Sequence, residues 1–489
     1  MALKVLDCCL VTNTTKIITK KLLFFPTFTA QINKKVSKKV HFIAIGGSIM
    51  HNLAIALAKK GYTVTGSDDQ ILSPSKEKLE DNGILPEKMG WDENNIHSEL
   101  DEVVLGMHAK ADNPELLKAK SLGLAVFSFP EYIYKESQNK QRIVICGSHG
   151  KTTITSMVMH VLKTLNRKFD YAVAAQLDGF DTMVKLEDDS PIIIIEGDEY
   201  LSSPIDRTPK FFRYHHHICS ISGIAWDHIN VFPTFDNYIE QFDKLIDATP
   251  KSGTVIFNDE DTLVRKLVKK KEGDFLKFAY KAPKNKIKDG ITSITINGFK
   301  TNLEIFGEHN LSNLGCAHKI CSRIAITDEQ FVQAIASYKG ANKRLTLLAK
   351  NTSTNVYLDF AHAPSKLQAT VDAVADQFSK RKLVAVFELH TFSSLDSKFI
   401  VQYKETMKNC DEPYIFLDPE VLKKKGLGAI TETQLREFFK DKRLKLIHSA
   451  AQLESALLSN TWREKNLLLM SSGNFDGANV ELIAQKITA

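Results

Sequence analysis

The sequence predicts an α/β protein made of three successive domains, each built around a parallel sheet. Short apolar runs alternate with stretches of helical periodicity along most of the 489 residues, and this order is typical of parallel strands with helices on the sheet faces. The alternation restarts twice, which places the predicted domains at residues 41–140, 141–340 and 341–489. A content of 43% hydrophobic and 25% charged residues is ordinary for globular domains.

The first predicted domain opens with a strand, a glycine turn and a helix, the order of a Rossmann-like unit. Its predicted elements are strand His41–Ile45, a turn at Gly46, Gly47 and Ser48, helix Met50–Lys60, strand Thr63–Gly66, a second unit at Ser75–Asn82 and strand Glu102–Gly106. A glycine turn followed about twenty residues later by an acidic residue, here Asp68, is typical of dinucleotide-binding folds. The match is partial because Ala44 and Ile49 stand where the fuller pattern carries glycine, so a purely structural turn is the alternative.

The second predicted domain opens with a phosphate-binding loop, the most informative segment of the chain. A buried strand at Ile143–Cys146 is followed by the turn Gly-Ser-His-Gly at 147–150, and Lys-Thr-Thr then opens a helix that continues through Ile154–Leu165. The N–H groups of such a turn and the helix dipole attract anions, the lysine reaches terminal phosphates, and the threonine hydroxyl suits Mg²⁺. A plain strand-to-helix turn is the alternative. We expect a nucleoside triphosphate to bind at Gly147, His149, Gly150, Lys151, Thr152 and Thr153.

Acidic and histidine side chains follow two later strands of the same domain. Strand Pro191–Ile195 ends in an acidic run that includes Glu196 and Glu199, and strand His217–Ser222 leads to His228. Open α/β sheets bind their ligands at the carboxyl ends of strands, and a Mg²⁺ that bridges phosphates takes a hydroxyl and one or two carboxylates besides water. The predicted metal ligands are Thr152, Glu196 and His228. A solvated strand end is the alternative for the two glutamates, and a purely structural role is the alternative for His228.

The third predicted domain repeats the alternation of strands and helices. Its predicted elements are strand Val356–Asp359, helix Ser365–Phe378 and strands Leu383–Glu388, Tyr414–Leu417 and Asn466–Met470. Just before this domain, a helix carries Asn310 and Asn313 near its start. Arg344 and Asp359 belong to the third domain, so a nucleotide site that uses them requires this domain to close over the phosphate-binding loop.

The positive charge of the chain is confined to its N-terminal end. Residues 1–40 hold eight Lys and one Asp, a balance of +7, so the remainder of a chain with net charge +6 carries −1. We therefore expect no nucleic-acid partner, and without an eighteen-residue apolar run we expect no membrane span.

The cysteines and the N-terminal segment bear on where the protein is located. Seven cysteines without a CxxC motif fit a reducing, cytoplasmic location. We interpret residues 1–40 as a disordered tail or a misassigned start, with an organellar transit peptide as the alternative.

These motifs, in this order, resemble those of the Mur ligase family, whose members use ATP to join amino acids or peptides to UDP-N-acetylmuramate carboxylates. The resemblance covers about residues 41–489. It rests on the loop 147–153, Glu196–Glu199, Asp227-His228, Gly307–Asn310 with Asn313, Lys343-Arg344 and Asp359–Pro364. Folylpolyglutamate synthetases share the central loop but lack the N-terminal unit.

The resemblance implies ATP and Mg²⁺ as cofactors and a reaction in two steps. The muramyl carboxylate attacks the γ-phosphate to give an acyl phosphate, and the acceptor amine then displaces the phosphate, with catalysis mostly by positioning and charge neutralisation. The implied catalytic residues are Lys151, Glu196, His228 and Arg344, with one Mg²⁺ on Thr152 and Glu196 and a second on His228. The implied ATP contacts are the loop residues named above with Asn310, Asn313, Arg344 and Asp359, and the implied UDP-sugar contacts are Gly46, Gly47, Ser48 and Asp68.

The resemblance leaves two acceptors open. Ile49 in place of a glycine and the tail at 469–477 resemble members that attach L-alanyl-γ-D-glutamyl-meso-diaminopimelate in murein recycling, and this is the preferred interpretation. The segments His41–Ser48 and Glu388–Phe392 instead resemble members that add L-alanine in de novo peptidoglycan synthesis.

A tripeptide acceptor carries three carboxylates and therefore needs several cations or N–H donors. Arg344, Lys366 and the amide groups around Ser471–Gly473 are the candidates in the third domain, since a glycine-containing loop lets backbone approach a ligand closely.

Three positions depart from the usual residues of the family. Ala44 and Asn52 stand where the family usually has Gly, and Ala363 stands where it usually has His or Asn.

Two alternative functions remain. One is a nucleotide-binding relative that has lost ligation, and the other is a different carboxylate–amine ligase. Intact Glu196, His228 and Asp359 favour an active enzyme. We expect a monomer or a weak homodimer.

Overall fold

The computed structural model of the protein describes residues 37–226, 231–341, 344–396 and 398–489. The predictions that concern residues 1–36, Asp227, His228 and Lys343 lie outside the described residues. Within them the chain forms three α/β sheets and one small antiparallel sheet. None of the helices in these ranges has the length and apolar character needed to cross a lipid bilayer.

The first sheet contains the strands β1 (Lys39–Ile43), β2 (Thr63–Ser67), β3 (Glu102–Leu105) and β4 (Ala125–Ser128). They are all parallel and lie in the order β2-β1-β3-β4. The accompanying helices are α1 (Ser48–Lys59), α2 (Ser75–Asp81), α3 (Pro114–Ser121) and α4 (Phe129–Glu136). Phe42 packs in a cluster with Leu53, and its neighbour Ile43 packs in another with Leu116, so both faces of β1 are buried, as in parallel sheets generally. β1 begins two residues before the predicted start of the domain.

The second sheet contains the strands β5 (Gln141–Cys146), β6 (Asp170–Ala172), β7 (Val184–Lys185), β8 (Ile192–Glu196), β9 (Ile218–Ile221), β10 (Thr254–Asn258) and β11 (Leu276–Tyr280). Their order is β11-β10-β9-β5-β8-β6-β7, and only β7 runs antiparallel to its neighbour. The helices are α5 (Lys151–Thr164), α6 (Lys210–Arg213), α7 (Phe235–Asp247), α8 (Thr262–Lys270), α9 (Glu308–Arg323) and α10 (Asp328–Ile335). Because β5 lies between β8 and β9, the turn that follows it meets the carboxyl ends of both neighbours.

A three-stranded antiparallel sheet, which our sequence analysis did not predict, follows β11. Its strands are β12 (Lys284–Lys288), β13 (Ile291–Ile296) and β14 (Phe299–Leu303). Two-residue turns, Asp289-Gly290 and Asn297-Gly298, join them, and all four turn residues have positive φ. Asp-Gly and Asn-Gly between alternating apolar residues are a strong hairpin signal, so the sequence did contain the information for this sheet.

The third α/β sheet contains the strands β15 (Thr346–Lys350), β16 (Asn355–Asp359), β17 (Lys382–Glu388), β18 (Glu412–Phe416), β19 (Lys445–Ile447) and β20 (Lys465–Met470). Their order is β15-β16-β20-β17-β18-β19, and only the edge strand β15 is antiparallel. The helices are α11 (Pro364–Gln377), α12 (Phe392–Leu395), α13 (Pro419–Lys424), α14 (Glu432–Phe439), α15 (Ala450–Leu458) and α16 (Val480–Thr488). The predicted α/β fold with three parallel-sheet units is therefore confirmed.

The small antiparallel sheet joins the second and third α/β units. Gln377, at the end of α11, accepts a hydrogen bond from the hydroxyl of Thr292 (2.8 Å) and donates one to the carbonyl of Gly290 (2.7 Å). Gly290 also lies against the ring of Phe378. This contact helps to hold the third unit beside the carboxyl edge of the second sheet.

Candidate active site

The turn between β5 and α5 requires glycine at two positions. Gly147 has φ +127° and Gly150 has φ +79°, conformations that side chains rarely adopt. A Cβ on Gly147 would collide with Oγ of Ser222 and lie 2.8 Å from its backbone nitrogen, and one on Gly150 would collide with the carboxamide of Asn313. The turn is therefore packed tightly between β9 and α9, with its N–H groups at the start of a fourteen-residue helix, a geometry that suits phosphate.

Lys151 extends back over this turn. Its Nζ donates hydrogen bonds to the carbonyl of Gly147 and to Oε2 of Glu199, both at 2.8 Å. Burial lowers the pKa of Lys151, but the carboxylates of Glu199 and Asp198 outweigh burial and raise it above the ordinary lysine value. The ammonium group is therefore charged and held at the place where the predicted triphosphate would end.

Thr152 and Glu196 form a pair of oxygen donors beside the turn. The Thr152 hydroxyl donates to Oε1 of Glu196 (2.7 Å), and the Ala174 N–H donates to Oε2 (3.0 Å). Burial, followed by the charge of Asp198, raises the pKa of Glu196, which a bound cation would oppose.

A magnesium ion fits this donor set. Mg²⁺ prefers oxygen ligands and keeps several waters, so a hydroxyl and a carboxylate are sufficient when phosphates supply further ligands. In the ranges that the structure describes, no group of three His, Cys, Asp or Glu side chains is arranged to hold a metal, so the protein offers a partial site that a nucleotide would complete. The third predicted ligand, His228, lies outside the described residues.

A cavity of about 620 Å³ brings together candidates from the second and third α/β units. The predicted site residues that line it are His149, Gly150, Lys151, Thr152, Thr153, Glu196, Asn310, Asn313, Arg344 and Asp359. Arg344 and Asp359 are distant in sequence from the phosphate turn, so their presence here means that the third unit lies over the second in this structure. The arrangement is the closed one that a site using these residues requires.

The candidates from α9 and from the third unit differ in the contacts that hold them. Asn310 donates from Nδ2 to the carbonyl of Phe306 (2.9 Å), whereas the Asn313 carboxamide lies against Gly150. Asp359 accepts hydrogen bonds from the N–H groups of Leu345 and Ala361 at 2.7 and 2.8 Å, so it connects the backbone after Arg344 with the turn that follows β16. The Arg344 guanidinium lies 5.0 Å from the centre of the Phe360 ring.

Sequence reasoning missed several polar side chains that line the same cavity. They include Ser222, Asn258, His309 and His362. Ser222 follows β9 and Asn258 ends β10, so the rule that ligands bind at the carboxyl ends of strands could have found both. Burial lowers the pKa of His309, although the nearby Asp359 carboxylate acts in the opposite direction.

A second cavity, of about 260 Å³, adjoins the first. Two of the predicted sugar-side residues, Gly47 and Ser48, line it, together with Ile49, the segment 105–108 and Phe129. Its remaining wall includes Ala174, Glu196 and Asp198, which also line the larger cavity. A group bound in the smaller cavity would therefore reach the predicted metal and phosphate position.

The other two sugar-side candidates, Gly46 and Asp68, do not line this cavity. The Asp68 side chain is 1% exposed, and its Oδ2 accepts a hydrogen bond from the Gly46 N–H at 2.7 Å. Burial raises the pKa of Asp68, while the hydrogen bond from Gly46 acts in the opposite direction. In this structure the Asp68 carboxylate therefore stabilises the glycine turn and does not line the cavity.

In the loop after β20, two of the amide groups that we expected to bind a peptide acceptor are bonded within the protein. The Ser471 N–H donates to the carbonyl of Asp359 (2.9 Å), and the Gly473 N–H donates to the Ser471 hydroxyl (2.6 Å). Arg344 and Lys366 line the large cavity beside the phosphate turn. The Ser471 and Gly473 amide groups are thus bonded within the protein, and the two candidate cations lie on the nucleotide side.

Two family models match the chain. Residues 39–140 match that of the Mur ligase family catalytic domain, and residues 145–321 match that of the Mur ligase middle domain. A UDP-N-acetylmuramate–L-alanine ligase from Sulfurihydrogenibium sp. (strain YO3AOP1) is 31% identical over 391 residues, which cover 78% of this chain and 83% of that protein.

Two solved structures share the fold over nearly the whole chain. A UDP-N-acetylmuramate–alanine ligase from Thermotoga maritima has a TM-score of 0.65 at 18% identity and covers 92% of this chain and 98% of its own. A murein peptide ligase from Psychrobacter arcticus 273-4 has a TM-score of 0.61 at 20% identity and covers 93% of this chain and 99% of its own. At these identities the two structures establish the similarity of fold alone.

Proposed function

The chain belongs to the Mur ligase family and is an ATP-dependent carboxylate–amine ligase; we propose that its carboxylate substrate is UDP-N-acetylmuramate, activated where the two cavities meet. The observation that carries this proposal is the shared wall of Ala174, Glu196 and Asp198. A carboxylate that enters from the Gly47–Ser48 side reaches this wall from one direction, and a triphosphate seated on the Lys151 turn reaches it from the other.

The chemistry at this wall follows from the charges. A carboxylate oxygen attacks the γ-phosphorus, the bond from that phosphorus to the β–γ bridging oxygen breaks, and ADP leaves with an acyl phosphate as the other product. The amine then attacks the acyl carbon, the carbon–oxygen bond to phosphate breaks, and the amine proton passes to phosphate or solvent. An attack of one anion on another needs strong charge neutralisation and close alignment.

The protein groups around the turn would provide that neutralisation. Lys151 is held charged beside the phosphate turn by Glu199, and the N-terminus of α5 adds the partial positive charge of its dipole. Thr152 and Glu196 would hold Mg²⁺, which neutralises phosphate charge when bound. Arg344, from the third unit, lines the same cavity and would add a second cation.

For the acceptor we propose the tripeptide L-alanyl-γ-D-glutamyl-meso-diaminopimelate. Its support is the sequence of the segment 469–477 and of Ile49, which lines the smaller cavity. L-Alanine is the second candidate. It is supported by the curated relatives, since a protein named UDP-N-acetylmuramate–L-alanine ligase is 31% identical over most of the chain.

One assay tests the substrate and the acceptor together. Release of ADP is measured with ATP, Mg²⁺ and UDP-N-acetylmuramate, adding either L-alanine or the tripeptide, and then both at equal concentration. We expect ADP release only when sugar nucleotide and amine are both present, with the higher kcat/KM for the tripeptide. A higher kcat/KM for L-alanine would assign the chain to the L-alanine-adding members. ADP release that does not require UDP-N-acetylmuramate would refute the proposed substrate.

A further inference from the structure

Asn52, one of the residues that depart from the family pattern, is buried where the first and second α/β units meet. Its side chain is 0% exposed. Nδ2 donates to the carbonyl of Ser48 and to Nε2 of His51, both at 2.8 Å, and Oδ1 accepts from the backbone N–H of Met183 at 2.9 Å. The carboxamide therefore connects the glycine turn of the first unit with a segment of the second.

The neighbouring His51 fixes the orientation of this carboxamide. Nδ1 of His51 lies 3.0 Å from the carbonyl of Gly47, which can only accept, so Nδ1 carries the proton and Nε2 accepts from Asn52. Burial lowers the pKa of His51, which keeps the ring neutral. With its NH₂ group committed to Ser48 and His51, Asn52 can present only its oxygen to Met183.

The contacts continue from Met183 to the phosphate turn. The Met183 carbonyl accepts from the Val173 N–H (2.9 Å), and the next residue, Ala174, donates to Glu196, which is also bonded to Thr152. Val173, Ala174 and Met183 all line the smaller cavity. An unbroken series of hydrogen bonds and short backbone steps therefore runs from the sugar-side turn to the predicted metal ligands.

We propose that Asn52 is a positioning residue for the ligation reaction. It holds the segment 172–183 in register with the turn at Gly47 and Ser48, so that the wall shared by the two cavities, including Glu196, faces the incoming carboxylate. A glycine at this position, as the family usually has, could not form these bonds. The proposal rests on the proposed function, because it assumes that the sugar nucleotide occupies the smaller cavity.

The test compares two substitutions of Asn52 that remove different bonds. Asn52→Ala removes all three. Asn52→Ser keeps a hydroxyl that can bond the Ser48 carbonyl four residues earlier, as serines in helices often do, but it is too short to reach Met183. Lys60→Met is the matched control, because Lys60 lies just beyond the far end of α1 and also joins the two units, through Asp188 at 3.0 Å.

We expect both Asn52 variants to raise the KM and the calorimetric Kd for UDP-N-acetylmuramate about tenfold and to lower kcat, since a buried donor and acceptor lose their partner. The Kd for a non-hydrolysable ATP analogue should stay within about twofold, because the Lys151 turn is untouched. Lys60→Met should leave all these constants unchanged. Thermal unfolding of each variant without ligands shows whether it is folded.

The outcomes separate this inference from the proposed function. If the wild-type enzyme neither binds UDP-N-acetylmuramate nor releases ADP with it, the proposed function fails. If the wild-type enzyme is active, and the Asn52→Ser variant is folded and has the same KM and kcat as wild type, Asn52 has only a structural role and the inference is wrong. Equal weakening of the ATP analogue and the sugar nucleotide would also overturn it, since that result indicates general destabilisation.

Discussion

The ammonium group of Lys151 lies 2.8 Å from a carboxylate oxygen of Glu199, whose side chain is 1% exposed. A buried carboxylate without its cation is strongly unfavourable, so this pair gives Lys151 two roles. It neutralises Glu199 within the fold and places a positive charge at the phosphate turn. The two roles can be separated by experiment.

Lys151→Met should abolish ligation and also destabilise the protein. Loss of a preorganised cation lowers turnover about a hundredfold or more. Removing the cation from the buried Glu199 carboxylate, which also accepts a hydrogen bond from the Tyr238 hydroxyl at 3.0 Å, costs about 3–5 kcal/mol. The double variant Lys151→Met with Glu199→Gln should regain most of the lost stability, because glutamine carries no charge, yet remain inactive. ADP release and thermal unfolding on the three proteins decide this. Near-wild-type turnover of the single variant would contradict the assigned role.

Gly147→Ala should reduce both activity and stability. Its φ of +127° and the collision of a Cβ with Ser222 mean that alanine must distort the turn, and strain of this kind costs about 1–3 kcal/mol. Gly428→Ala is the matched control, because Gly428 is outside the left-handed region and has no neighbour within 4 Å of an added Cβ. That change should be neutral or slightly stabilising. A Gly147→Ala enzyme with unchanged Tm and kcat/KM would show that the turn tolerates a side chain.

The phosphate turn could be predicted from the sequence because its chemistry is local. The glycines, Lys151 and Thr152 are adjacent in the chain, and a turn that leads into a helix determines where they point. Arg344 and Asp359 could be named only through the family resemblance, because their approach to the turn depends on how two distant sheets pack. Motif spacing contains no information on that packing.

The direction in which a side chain points is the other property that the sequence did not predict. Asp68 lies at the expected distance after the glycine turn, yet it bonds the Gly46 N–H and does not line the cavity. The amide groups of Ser471 and Gly473 likewise bond within the protein. Asn52 departs from the family pattern, but its bond to Met183 joins residues 131 positions apart, and no local pattern predicts such a contact.

Glu115 should make the stability of the first unit depend on pH. Burial acts to raise its pKa, but hydrogen bonds, chiefly with His41 and Ser67, outweigh burial and lower it below the ordinary value. A lowered folded-state pKa contributes stability above the unfolded value of about 4.3, and this contribution is lost as pH falls through the folded-state pKa. Glu115→Gln should therefore be clearly less stable than wild type at pH 7, with the difference shrinking below about pH 4.

The control for Glu115 is Glu99→Gln. Glu99 pairs with Lys39 at 2.8 Å, but its side chain is 73% exposed, and surface pairs of this kind contribute little. Denaturant unfolding at pH 7 and at lower pH should show no difference between Glu99→Gln and wild type. A Glu115→Gln protein whose deficit is the same at every pH would refute the proposed linkage.

Removal of residues 1–36 should leave activity and Tm unchanged, since that segment is Lys-rich and shows no apolar periodicity. Removal of residues 1–40 should lower the Tm, because it deletes Lys39 and the buried Val40 from β1, the strand that pairs with both β2 and β3. The two truncated proteins are compared by thermal unfolding and ADP release. A Tm that falls by several degrees when only residues 1–36 are removed would show that these residues contribute to the fold.

The central claim, that ATP activates a carboxylate where the two cavities meet, is tested most directly by following its oxygen atoms. UDP-N-acetylmuramate labelled with ¹⁸O in its carboxylate is incubated with the enzyme, ATP, Mg²⁺ and the acceptor amine, and the phosphate released is analysed by mass spectrometry. Because the attacking carboxylate oxygen stays on phosphorus when the amine displaces it, we predict one ¹⁸O atom in each phosphate formed. Unlabelled phosphate from a reaction that forms the amide would contradict the acyl-phosphate account.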